Sequence, residues 1–116
     1  MTGSRRRAVD KWDPSDREPL VTSAGDVVTV GRRDTDWPGF LWCTDGAGVA
    51  GWVPEEILVL LEDERARLTE DYSAVELAVK AGDEVEAVRS VAGWHWSVAD
   101  NGDAGWLPEK VLTPED

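Results

Sequence analysis

His95 is the single histidine of the chain and Cys43 its single cysteine. Acid–base, metal and nucleophilic chemistry all draw on such side chains in company. On an alternating strand His95 points away from Trp94 and Trp96. No second His or Cys and no tight carboxylate group accompanies it, which argues against a metal or catalytic role. Cys43 stands between Trp42 and Thr44 in an apolar run and reads as a packing residue rather than a reactive thiol. With one cysteine there is no intrachain disulfide. The 24 Asp and Glu residues are spread over loops and turns. Ser-His-Asp sets, metal-ligand spacings, phosphate loops and Gly-rich dinucleotide signatures are all missing. The sequence therefore points away from an enzyme and implies no cofactor. Its remaining chemistry is recognition, and the candidates are aromatic. Trp37 precedes Pro38-Gly39 in a loop, Tyr72 lies in a second loop, and Trp94 adjoins His95. A loop Trp is a frequent binding anchor. For Trp37 the equal alternative is that it covers the end of its own fold or packs against another unit of the chain.

Charge narrows the partner. Across 116 residues the net charge is -12, and the sequence pI is about 4.4. Residues 1–61 hold 7 Lys or Arg against 10 Asp or Glu, and residues 62–116 hold 5 against 14. Such a surface repels phosphate backbones, so no nucleic acid is expected, and basic protein segments suit it better. The acidity serves solubility equally well. Residues 1–7 lead into no apolar run, so neither a secretory signal nor a membrane span is expected there. A cytoplasmic monomer is the resulting expectation.

The elements that must position these residues come in two copies. Gly51-Trp52-Val53-Pro54-Glu55 returns as Gly105-Trp106-Leu107-Pro108-Glu109, 54 residues later. Gly39, Trp42, Gly48 and Ala50 match Gly93, Trp96, Gly102 and Ala104 at the same offset. Two copies of one small unit follow. In the first, strands are expected over Ala8–Trp12, Leu20–Thr22, Val27–Val30, Phe40–Thr44 and Val49–Val53, then one 3₁₀ turn from Pro54 and a last strand at Ile57-Leu58. Asp45-Gly46-Ala47-Gly48 closes a hairpin. The second copy opens at Ala66–Glu70. It continues with Leu77–Val79, Val85–Val88, Trp94–Val98, a turn at Ala99–Gly102, Ala104–Leu107, a 3₁₀ turn from Pro108, and Val111-Leu112. Ile57 to Leu68 has some helical spacing. The second copy has no counterpart, and Val59 to Arg65 is read as a linker with room for a helical turn. Trp42 can pair with Trp52 across its hairpin, and Trp96 with Trp106.

These units resemble Src homology 3 (SH3) domains of the variant kind common in bacterial proteins. Ala8-Val9-Asp10-Lys11-Trp12 stands where that family has A-L-Y-D-Y, and Asp13 to Pro19 matches its acidic RT loop in length. Leu20 to Asp26 and Glu76 to Asp83 match E-L-S-F-x-x-G-D. Trp42 and Trp96 match the second residue of the W-W pair. Gly51 to Leu58 and Gly105 to Leu112 match G-L-F-P-x-x-Y-V. The resemblance implies an all-β chain of two tandem five-stranded antiparallel SH3-like barrels at 5–61 and 66–116, joined by a linker at 62–65.

It also implies a groove for proline-containing peptides, built on four aromatics and a proline. Carried over, the first Tyr of A-L-Y-D-Y becomes Asp10 and Leu68, and the second becomes Trp12 and Glu70. The first Trp of the W-W pair becomes Leu41 and His95. The proline is kept as Pro54 and Pro108, and the last Tyr becomes Ile57 and Val111. Asp13, Asp16 and Glu18 take the acidic RT-loop positions that pair with a ligand cation, or form a solvated loop. Trp37, Tyr72 and Trp94 are placed to compensate for the lost aromatics. Two functions follow as expectations. One is a protein- or peptide-binding adaptor with a degenerate groove, taking basic or proline-containing segments. The other is a rigid tandem-barrel subunit docking on a larger protein.

Overall fold

The structure, a computed structural model, describes residues 4–14 and 18–113. In chain order the elements are β1 (Ser4–Arg7), β2 (Val21–Thr22), β3 (Val27–Arg33), β4 (Phe40–Thr44), β5 (Ala50–Pro54), the 3₁₀ turn Glu55–Ile57, β6 (Leu58–Leu60), β7 (Arg65–Leu68), β8 (Tyr72–Ser73), β9 (Glu84–Val91), β10 (Trp94–Ala99), β11 (Ala104–Pro108) and the 3₁₀ turn Glu109–Val111. The fold of the described residues is all-β, and a 3₁₀ turn follows Pro54 and Pro108 as the sequence predicts. No helix among them is long and apolar enough to cross a membrane.

Three antiparallel sheets form, ordered β1-β9-β10-β11, β2-β8 and β5-β4-β3-β7-β6. The hairpins of the two repeats are built alike. Trp42 sits opposite Trp52 and Trp96 opposite Trp106. Their turns close through Asp45 N to Val49 O at 2.9 Å and Ala99 N to Asp103 O at 2.8 Å. Each turn needs a left-handed residue, supplied by Gly48 at φ 89° and Gly102 at φ 94°. Between the hairpin strands the side chains alternate. Leu41, Cys43 and Val53 are buried in one repeat, and His95, Ser97 and Leu107 in the other.

The opening strands do not stay with the repeats that follow them. β1 pairs with β9, with Arg6 opposite Val85. β7 pairs with β3 and with β6, setting Ala66 opposite Val28 and Leu68 opposite Leu58. The contacts group into two compact units. One runs from Glu18 to Ala74, and the described part of the other joins residues 4–14 to 75–113. The repeat boundaries at 61 and 66 do not coincide with these groupings. The 18–74 unit is inserted between the opening strand of the other unit and the rest of it. Ala8 lies in a core with Leu77, Val79, Val85, Leu107, Val111 and Leu112.

The cause is the connection after β6. The segment expected to be a linker with a helical turn is a tight hairpin. Leu61 N donates to Arg65 O at 2.7 Å, and Asp63 and Glu64 both take positive φ, 60° and 58°. Two consecutive left-handed residues give a turn whose twist matches a β-hairpin. β7 therefore folds straight back on β6 and fills the opening-strand place of the 18–74 unit. A contact four residues away in sequence forms at lower entropic cost than one reaching across to Val85. β1 then completes the other unit.

Candidate functional site

The register of the exchanged strands fixes which residues share a site. Both units carry the same turn, with Asp26 N to Ser23 O and Asp83 N to Lys80 O each at 3.0 Å. Four residues before those aspartates stand Thr22 and Val79. Thr22 pairs with Tyr72, and Val79 bridges Trp12. Tyr72 thus holds in the 18–74 unit the place that Trp12 holds in the discontinuous unit. The sequence reading put Glu70 there, two residues early. Leu68, opposite Leu58, and Ala8, bridging Leu112, show the shift independently.

In the discontinuous unit Trp12 meets Trp94 edge-on, with ring centroids 5.5 Å apart and planes at 77°. The Trp12 Nε1–H donates to Glu76 Oε1 at 2.8 Å, which fixes the indole's orientation. Lys110 Nζ lies 5.7 Å from the Trp12 ring centroid, within cation–π range. Trp94 is opposite Pro108 across β10 and β11. Both tryptophans are half-buried, whereas Pro108 is fully buried. The arrangement is a two-indole surface with a carboxylate at one edge and an ammonium over one face. It offers flat apolar faces with opposite charges beside them.

Beneath it lies a charged lock. Arg6, its side chain only 2% exposed, donates to Glu109 Oε2 at 2.5 Å and through Nε to the Thr113 carbonyl. His95 Nε2 shares a proton with Glu109 Oε1 at 2.8 Å. Partial burial pushes the Glu109 carboxyl up, but the bonds from His95 and Arg6 outweigh it and hold it below the ordinary carboxylate range. One residue of β1 thereby ties down the 3₁₀ turn beside Pro108 and the strand carrying Trp94. On the exposed side Arg5 reaches Glu84 at 3.0 Å and Asp100 at 2.8 Å, which adds to the docking of β1.

The matching place in the 18–74 unit is filled inward. Tyr72 is buried and its hydroxyl donates to the Trp52 carbonyl at 2.8 Å. Phe40, opposite Pro54, occupies the register position of Trp94 and is buried too. Leu41 and Ile57 are core residues here, as Val111 is in the discontinuous unit. Trp37 is half-buried, in a loop stapled by Arg33, which donates to Pro38 O at 2.6 Å and pairs with Glu55 at 2.8 Å. The Arg33 bond holds the Glu55 carboxyl below its usual range. Asp13 and Glu18 are exposed, with Lys11 3.8 Å from Asp13, and Asp16 lies outside the described residues.

Of the thirteen residues singled out from the sequence, the structure brings together Trp12, Trp94, His95 and Pro108, with Val111 in the core beneath. Tyr72 and Pro54 lie at the equivalent place of the other unit, and Trp37 and the acidic loop residues are separate from the indole pair. Glu76, Lys110 and Phe40 were not foreseen as site residues. The 54-residue offset applied to Trp94 would have led to Phe40. The other two had no local signal, because Glu76 and Trp12 are 64 residues apart.

The tryptophan pairs on the hairpins are a separate feature. Trp42 and Trp52 stack edge-on at 4.9 Å, and Trp96 and Trp106 at 5.3 Å. Arg32 caps the first pair at 5.3–5.5 Å from the two ring centroids. Each pair contributes roughly 0.5–1.5 kcal/mol beyond burial. Among the described residues no group of three His, Cys, Asp or Glu could hold a metal ion.

Nothing among curated proteins and nothing among solved structures matches this chain. Residues 5–61 match the model of the variant SH3 domain, a family of generally non-catalytic protein-binding modules. That span takes in β1, whose partner is β9, and then β2 to β6 of the inserted unit. A variant SH3 domain is thus detected at residues 5–61, spread over strands of both units.

Proposed function

We propose that the protein is a non-catalytic binding module with two SH3-like units, one of which takes an extended protein segment across Trp12 and Trp94. The observation that carries this reading is the half-buried indole pair, oriented by Glu76 and flanked by Lys110. Flat aromatic faces accept proline rings and the aliphatic stems of Lys and Arg at small entropic cost, since their own χ angles are already fixed. The net charge of -12 favours segments rich in basic residues and low in acid. The corresponding place in the other unit is closed by Tyr72 and Phe40.

The test is a titration of the full ¹⁵N-labelled chain with proline-containing and basic peptides, following the tryptophan indole resonances. The Trp12 and Trp94 signals shift together, and Trp94→Ala weakens binding by about tenfold or more while Trp37→Ala leaves it within a factor of about two. Shifts confined to Trp37, or none with any peptide, would remove this site from consideration.

A further inference from the structure

A second surface lies on the inserted unit, along β6. β6 is the terminal strand of its sheet, with β7 on one side only. Thr69 N donates to Ile57 O and Leu61 N to Arg65 O, so the odd-numbered residues of this stretch turn their backbone groups toward β7. The even ones, Leu58 and Leu60, turn theirs to the open side, where among the described residues only the Leu58 N–H is used, by Glu55 O. The strand carries no charged side chain. Val59 is 47% and Leu60 57% exposed, and across Arg67 the row continues to Val27, 41% exposed. An apolar edge with open backbone groups is the template to which an extended chain adds.

The ends of this edge are acidic. Glu56 precedes it and Glu62-Asp63-Glu64 follow it. A second copy pairing antiparallel would set Glu62 to Glu64 of one chain against Glu56 of the other, and like charges at such range oppose the pairing. The same charges favour a strand with apolar residues at its centre and Lys or Arg at both ends. We propose that the β6 edge is a strand-addition site for an extended basic–apolar–basic peptide. It is independent of the Trp12–Trp94 surface.

The probe is the capped peptide Lys-Arg-Val-Thr-Val-Arg-Lys, titrated into the full ¹⁵N-labelled chain. Resonances of Leu58 to Leu61 shift in a saturable way, and the Leu60 amide gains protection from solvent exchange. N-methylation at both valines of the peptide abolishes binding without touching the protein. Glu62→Lys with Glu64→Lys weakens it by about fivefold or more. Several outcomes overturn the proposal: shifts confined to the Trp12 and Trp94 indoles, undiminished binding of the N-methylated peptide, or no shift at all. Concentration-dependent dimers of the free chain that Leu60→Pro disperses would assign the edge to a second copy instead, and overturn it equally.

Discussion

At the scale of single residues, the repeated glycine before each tryptophan has a steric origin. A Cβ on Gly105 would lie 2.6 Å from Leu77 N and 2.7 Å from the Glu76 carbonyl carbon, which are backbone atoms unable to move aside. A Cβ on Gly51 would meet the Leu20 Cβ at 3.0 Å, a milder clash that a shift of a few tenths of an ångström relieves. Gly105→Ala is therefore expected to cost about 3 kcal/mol in urea unfolding, and Gly51→Ala under about 1.5 kcal/mol. Burial lifts the Cys43 thiol to about 11, so the folded chain resists thiol reagents at neutral pH and reacts on denaturation, as absorbance assays with an aromatic disulfide will show. The Glu109 lock sets an acid limit. Its carboxyl is depressed in the folded chain, so its stabilisation is full above the unfolded value of about 4.3 and is lost as pH falls below that. Glu109→Gln should lower the thermal midpoint well above that value and flatten its pH dependence below it.

At the scale of elements, the hairpins, the glycine turns and the 3₁₀ turns were legible because each is written in adjacent residues. Phe40–Thr44 is a strand with the bounds the sequence suggests. Assignment of the opening strands was not legible, because Ala8-Val9-Asp10-Lys11-Trp12 and the segment ending in Tyr72 suit the same place. What decides between them is the length and twist of the β6–β7 turn, a property of Asp63 and Glu64 that hydrophobic patterning does not report. The candidate site suffered from the same source. Its aromatic partners are visible one by one, but the sequence order groups Trp12 with Pro54 rather than with Trp94. The turn also yields a prediction. Glu64 adopts φ 58°, which an L side chain accepts at a cost of about 1 kcal/mol. Glu64→Gly should raise stability by up to about 1 kcal/mol, measured as a shift of the urea midpoint at constant slope. A loss instead would mean that this residue's side chain matters more than its backbone.

At the scale of the whole molecule, the exchange redefines which piece is self-sufficient. Residues 18–74 contain every strand of the five-stranded sheet and of the β2–β8 pair. Excised, this segment should fold alone, with a cooperative thermal transition and dispersed amide resonances. Residues 1–61, which follow the repeat and the family match, lack β7 and should fold poorly or associate. The reverse result would show that the continuous arrangement is the stable one in the fragment. The bond from Ala74 N to Leu20 O, at 2.8 Å, has a consequence for how the chain reaches its final form. Trp12 and Val79 are 67 residues apart in sequence, a long closure for an unfolded chain. Once 18–74 has condensed, its two ends are held one hydrogen bond apart, and the remaining separation along the chain shrinks to about 13 residues. The entropy of closure falls by about 1.5 kcal/mol on the logarithmic loop law. On a ribosome the order is set by synthesis as well. β1 emerges before the insert, the insert can fold once Ala74 is out, and β9 to β11 follow to pair with β1 and meet Trp12. β1 is thus made well before the strand it pairs with, and Trp12 meets Trp94 only after the insert between them has been made.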